Sequence, residues 1–202
     1  MPILTRALQK SHAMFAQAIH ASRLKLYYTD TARGRGAERF KALRPWLEAC
    51  LDATHEWLWS QEGLDLSRHS ALEGAEVQMT LCGKKKIQSL NRDYRGKDAT
   101  TDVLSFQLHD DFDELWGLEA GGLLNLGDLF ICREKAFSQA MEFELSFEEE
   151  VVHLFVHGLL HLCGHDHELG EAEEREMQRL EKLLLDQTSK RLDQGERKWM
   201  SH

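Results

Sequence analysis

The stretch "SFEEEVVHLFVHGLLHLCG", from Ser146 to Gly164, encodes a helix together with both of its ends. Ser146 followed three residues on by Glu149 is a capping-box pattern, in which each side chain satisfies a backbone N–H left free by the other. Gly164 is a natural stop, because the left-handed cap conformation costs glycine least. Between these ends the run is apolar on nearly every side, so the helix must be buried among other elements. Its apolar part, "VVHLFVHGLLHLC", is too short to span a membrane and carries three histidines. Any fold for this chain therefore has to wrap a core helix bearing His153, His157 and His161.

Strand and helix patterns surround that helix. "RLKLYY", with Leu24, Leu26 and Tyr28 alternating, and "EVQMTLC", with Val77, Met79 and Leu81 alternating, read as strands, as do "TDVLSFQL" and "LGDLFIC". "AERFKALRPWLEACLDATHEWLW" has helical spacing, and Pro45 inside it predicts a helix that begins near the proline and does not cross it. "KKKIQSLNRDYRG" predicts a short helix ending near Gly96, and the run from Arg133 to Glu144 predicts another. An acidic loop is expected through "HDDFDE". "EAEEREMQRLEKLLLDQ" is amphipathic with Met177, Leu180 and Leu184 inward, and the polar chain beyond about Ser189 is expected to fray. The expected fold is one α/β (α+β) domain, a small mixed four-stranded sheet packed with several helices. The domain is placed at 23–187, after an N-terminal extension at 1–22 and before a polar tail at 188–202.

Charge narrows the partners. The net charge of −9 argues against a general nucleic-acid binder. One segment departs from it: residues 84–97, "KKKIQSLNRDYRGK", hold six bases and one acid. Residues 142–150, by contrast, carry five glutamates and no base. The first 29 residues have four bases and no acid, which fits an organellar transit peptide less well than an N-terminal helix of a bacterial-type cytoplasmic protein or a start codon placed too early, with Met14 as another possible start. Cys50, Cys82, Cys132 and Cys163 form no CxxC pair and read as reduced, buried thiols.

His157 and His161 are i and i+4, so their imidazoles share one helix face and can reach one cation. Gly164 lets the chain turn back, so His167 can approach from a third direction, completing H-x-x-x-H-x-x-G-x-x-H. His153 and His161 lie about 12 Å apart along the axis, too far for one ion to hold both. His165 is a weaker alternative ligand, and Asp166 fits either a partner that orients a histidine ring or a plain turn residue. Three imidazoles leave a fourth position open, as in catalytic and not structural zinc sites, and water there would lose its proton nearer neutrality. Zinc proteases of this frame use H-E-x-x-H with glutamate as base; position 158 is glycine. That counts against peptide hydrolysis and favours an anionic phosphodiester, which wants a metal and cations. In "LNRDYRGKDATTDVLSF", Arg95 and Lys97 can hold a phosphate, Arg95 by a bidentate fork.

"HGLLHLCGHDH", "LNRDYRGKDATTDVLSF" and "LGDLFIC" together resemble, in kind and order, the three blocks of the YbeY family, metal-dependent endoribonucleases of ribosomal RNA maturation. The resemblance covers roughly residues 23–187 and departs at His165, Thr100 and Gln107, where the family usually has tyrosine, proline and proline. It implies a zincin-like domain, one zinc ion per chain held by His157, His161 and His167, and Arg95 facing the metal across a substrate cleft. It also implies single-stranded RNA as substrate, chiefly the small-subunit rRNA 3′ end, and a part in ribosome quality control. Ribosomal proteins are the expected protein partners; neither a membrane nor DNA is expected. Two other functions fit the residues: a zinc hydrolase of peptide or amide bonds, and a non-catalytic ribosome-assembly factor with a structural metal.

Overall fold

The structure, a computed structural model, describes residues 15–31, 35–68, 72–109, 122–166 and 170–199, with side chains up to residue 193. Strands β1 (Phe15–Ala21) and β2 (Leu24–Asp30) form a hairpin that leads to helix α1 (Gly36–Leu58). Strand β3 (Leu72–Cys82), helix α2 (Lys84–Arg95), strand β4 (Val103–Gln107) and strand β5 (Gly122–Cys132) follow. Helices α3 (Arg133–Glu142), α4 (Phe147–Leu162) and α5 (Glu171–Trp199) complete the chain. The sheet order is β1-β2-β3-β5-β4, with β2, β3 and β5 parallel and the two outer strands antiparallel to their neighbours.

Among the described residues the mixed sheet thus has five strands, not the four expected. The extra one, "FAQAIHA", lies in the stretch read as an N-terminal extension. Only Ile19 and Ala21 of its described side chains are buried, and alanine has little strand preference, so its pattern is faint. Its pairing with β2 and the tight turn at Ser22, whose φ is +48°, hold it in place.

Side chains alternate across the sheet and build two cores. Leu26, Tyr28, Met79, Leu81, Leu129 and Ile131 face α1 and α4, whose Leu47 and Phe155 are fully buried, and α5 packs across those two helices with Leu184 fully buried. The opposite face is covered at one end by α2, where Ile87 and Leu90 pack on Leu104, Phe130, Cys82 and Cys132. Asp30, wholly buried at the end of β2, pairs with Arg39 of α1 at 2.6 Å and Arg133 of α3 at 3.4 Å.

Helix ends follow the local chemistry. The α4 capping box is formed, with the Ser146 hydroxyl accepting from the Glu149 N–H at 3.2 Å and the Ser146 N–H donating to the Glu149 carboxylate at 2.7 Å. Gly96 and Gly164 take φ of +69° and +88° at the ends of α2 and α4. Helix α1, against expectation, passes straight through Pro45, which lies on its exposed side where water can take the carbonyl the proline leaves free. Helix α5 likewise continues past Ser189, with Arg191 paired to Glu56 of α1. All four cysteines are buried free thiols, and burial pushes Cys50 up to about 11 and Cys82 up to about 12.

Asp128 on β5 is a buried carboxyl, pushed up to about 6 by burial. An acid whose folded pKa is raised costs stability once pH climbs from its unfolded value, near 4, through 6. The full cost above pH 6 is about 2–3 kcal/mol, at 1.4 kcal/mol per unit. Asp128→Asn should therefore stabilise the protein by about that much at pH 7 and by nothing at pH 3, where both forms are neutral. Urea unfolding at the two pH values measures it; equal effects at both would show that the change acts through packing.

Candidate functional site

The capped helix α4 presents His157 and His161 on one face, their ring centroids 4.8 Å apart and their planes at 76°. Facing them is the end of α2. The buried Asn91 donates its side-chain amide to the Ala99 carbonyl at 2.8 Å, and the Lys97 N–H returns to the Asn91 carbonyl at 3.2 Å. These bonds fold the chain after Gly96 so that Arg95 and Lys97 look across toward the imidazoles. Between them lies a cleft of about 410 Å³, lined by Arg95, Lys97, Thr101–Ser105, His157, His161 and Asp166. A second lobe of about 340 Å³ shares Arg95, Ser105, His161 and Asp166 and adds Gln107, Gly164 and His165.

Ser105 on β4 joins the two walls. Its carbonyl accepts from the Arg95 guanidinium at 3.4 Å, and its hydroxyl donates to the Gly158 carbonyl of α4 at 3.1 Å. Gly158 allows that approach. A Cβ there would sit 2.8 Å from a Leu129 methyl and 3.2 Å from both the Ser105 hydroxyl and a Val103 methyl. At the position where a zinc protease carries its glutamate, a side chain longer than alanine's would therefore have to displace Leu129, Ser105 and Val103.

Asp102 sits on the cleft floor. Burial raises its pKa, but bonds from Gln139 at 2.9 Å, the Val103 N–H at 2.9 Å and Thr101 at 3.0 Å outweigh this and hold it below the usual range. It is a fixed negative charge, positioned by its donors. His165 lies in the second lobe with its ring 5.9 Å from that of Trp57, and burial lowers its pKa. His153, one turn before His157, lines neither lobe and pairs with the buried Glu150 at 3.6 Å. His167 lies outside the described residues, and among those described no group of three or more metal-binding side chains comes together.

Three contributors are not foreseen in the sequence. Ser105 and Asp102 are two. The third is Glu181 of α5, whose carboxylate lies 2.6 Å from Nδ1 of His157. The sequence offers Asp166, next to the histidines, as either an orienting carboxylate or a turn residue; the carboxylate at His157 Nδ1 comes from another helix. The available signal was a glutamate beside the inward Leu180 of an amphipathic helix.

The family profile described as "Endoribonuclease YbeY" matches residues 45–189. A protein named "Endoribonuclease YbeY" from Staphylococcus carnosus is 46% identical over 114 residues, covering 56% of this chain and 72% of that one. Its namesake from Alkaliphilus metalliredigens is 50% identical over 110 residues, covering 54% and 68%. A solution structure of TM1509 from Thermotoga maritima aligns over 82% of this chain and 87% of that one, at 25% identity and a TM-score of 0.46.

Proposed function

This chain belongs to the endoribonuclease YbeY family, and from that premise we propose that it is a zinc-dependent endoribonuclease cutting single-stranded RNA in the cleft between α2 and α4. The observation that carries this reading is the pair of imidazoles set opposite Arg95 across one cleft. Two histidines on one helix face, one with its other nitrogen engaged by a carboxylate, suit a borderline cation such as zinc. His157, His161 and His167 would hold one ion per chain, within a zincin-like domain taken as 23–187. Bound zinc supplies Lewis-acid chemistry, polarising a phosphoryl oxygen and acidifying water.

The remaining work falls to the chain's own groups. Arg95, exposed and tethered only at 3.4 Å to the Ser105 carbonyl, can turn its fork onto a phosphate as charge builds there. Lys97 adds a second cation on the same wall. The exposed Lys84, Lys85 and Lys86 at the start of α2 extend the positive surface and steer an RNA backbone toward the cleft. Asp102 repels a second phosphate from the floor, favouring one bound register. The proposed substrate is rRNA near the 3′ end of the small subunit, with ribosomal proteins as neighbours in a cytoplasmic maturation and quality-control step; the match of the three sequence blocks supports it. Peptide hydrolysis is disfavoured because the glutamate base it needs is replaced by Gly158, which packs close against Leu129, Ser105 and Val103.

Chelation tests the reading. Purified protein should hold close to one zinc per chain, and removing it should abolish cleavage of an unstructured RNA while leaving its binding measurable. Re-addition of zinc should restore cleavage. Undiminished cleavage after complete removal would overturn the zinc assignment.

A further inference from the structure

We propose that Glu181 is a positioning residue that fixes the proton of His157 on Nδ1 and so presents Nε2 as the metal-binding nitrogen; this rests on the zinc reading above. The contact between the Glu181 carboxylate and His157 Nδ1 is 2.6 Å, slightly shorter than the roughly 2.7–2.9 Å usual for charge-assisted N–H···O bonds. An ionised carboxylate only accepts, so Nδ1 must be the donor, and in a neutral ring the lone pair is then on Nε2. Imidazoles that bind metal are commonly held in this way, and the acceptor sets both ring orientation and basicity.

The surroundings make Glu181 a fixed acceptor. Its side chain is 17% exposed, and that of His157 is 27% exposed. Leu180 and Leu184 on either side of it along α5 are fully buried, so the core sets the rotation of the helix and aims the carboxylate. Rotating the His157 ring would also undo its approach to the His161 ring. The His153–Glu150 pair is a useful contrast: it lies within one helix, spans 3.6 Å and is away from the cleft.

The competing explanation is an ion pair that merely joins α4 to α5. The two differ in what they predict for Glu181→Ala, Glu181→Gln and wild type. Three measurements separate them: zinc affinity by chelator competition, the ring tautomer of His157 in zinc-free protein by nitrogen NMR, and the melting temperature. Glu181→Ala should weaken zinc binding about 10–100-fold and turn a single Nδ1–H tautomer into a mixture. Glu181→Gln keeps an acceptor but adds a donor in the same place, so both tautomers become accessible and the affinity should fall between those of wild type and Glu181→Ala. An unchanged affinity and tautomer in Glu181→Ala, with only a lower melting temperature, would overturn the proposal. If that variant does not fold, an Nε2–H ring, or a mixture of tautomers, in zinc-free wild type would overturn it equally. Should wild type bind no zinc, the zinc reading fails, and the tautomer in zinc-free protein still decides the positioning role.

Discussion

Arg95→Ala should lower the rate of RNA cleavage about 10²–10³-fold, the usual cost of removing one donor aimed at developing charge. Zinc content and thermal stability should stay as they are. Arg95 is exposed at the last position of α2, and its bond to the Ser105 carbonyl is long at 3.4 Å. Surface substitutions of that kind change stability by about 0.5 kcal/mol or less. Arg95→Lys keeps the charge but loses the fork, so it should recover only part of the rate. Single-turnover cleavage of a labelled single strand, alongside zinc content and a melting curve, reads all three. Full cleavage by the alanine variant would remove Arg95 from the chemistry. Full cellular function without any cleavage would instead point to an assembly factor in which the metal only braces the fold.

How much of this was legible in the sequence depended on whether a residue's role is set by its neighbours in the chain. The histidine helix was, because its cap, its stop and its i, i+4 pair are all local, and both ends fall where Ser146 and Gly164 put them. The C-terminal end of α2 was legible for the same reason, since Gly96 supplies the left-handed cap that leaves Arg95 at the cleft. Strand β1 was not: an edge strand needs one weakly apolar face, and its partner supplies the rest. Pro45 does not end α1 because it lies on the exposed side, where water can satisfy the carbonyl left without a donor. Ser105 and Glu181 act across 53 and 24 residues of chain; locally Ser105 is an ordinary strand serine, and Glu181 differs from a solvated glutamate only in standing beside the inward Leu180. The third expected ligand, His167, and most of the acidic loop after β4 lie outside the described residues.

Installing the missing glutamate, Gly158→Glu, should cost about 4 kcal/mol or more and leave little folded protein. Overpacking of a tight contact costs about 1–3 kcal/mol, and an unpaired carboxylate forced among apolar groups adds several more. Here the first carbon alone would meet Leu129, Ser105 and Val103, and pushing Ser105 away would also loosen the strand that tethers Arg95. Gly158→Ala calibrates the argument. Alanine gains about 1 kcal/mol of helix preference over glycine, which offsets part of the clash with a movable Leu129 methyl, so a net loss of about 1 kcal/mol is expected. A graded fall in denaturation midpoint from glycine to alanine to glutamate would establish that close packing of α4 on the sheet excludes a base at this position. A folded Gly158→Glu protein that cleaves peptides would show the reverse: that the cleft can open to take the base, and that packing does not decide which bond is cut.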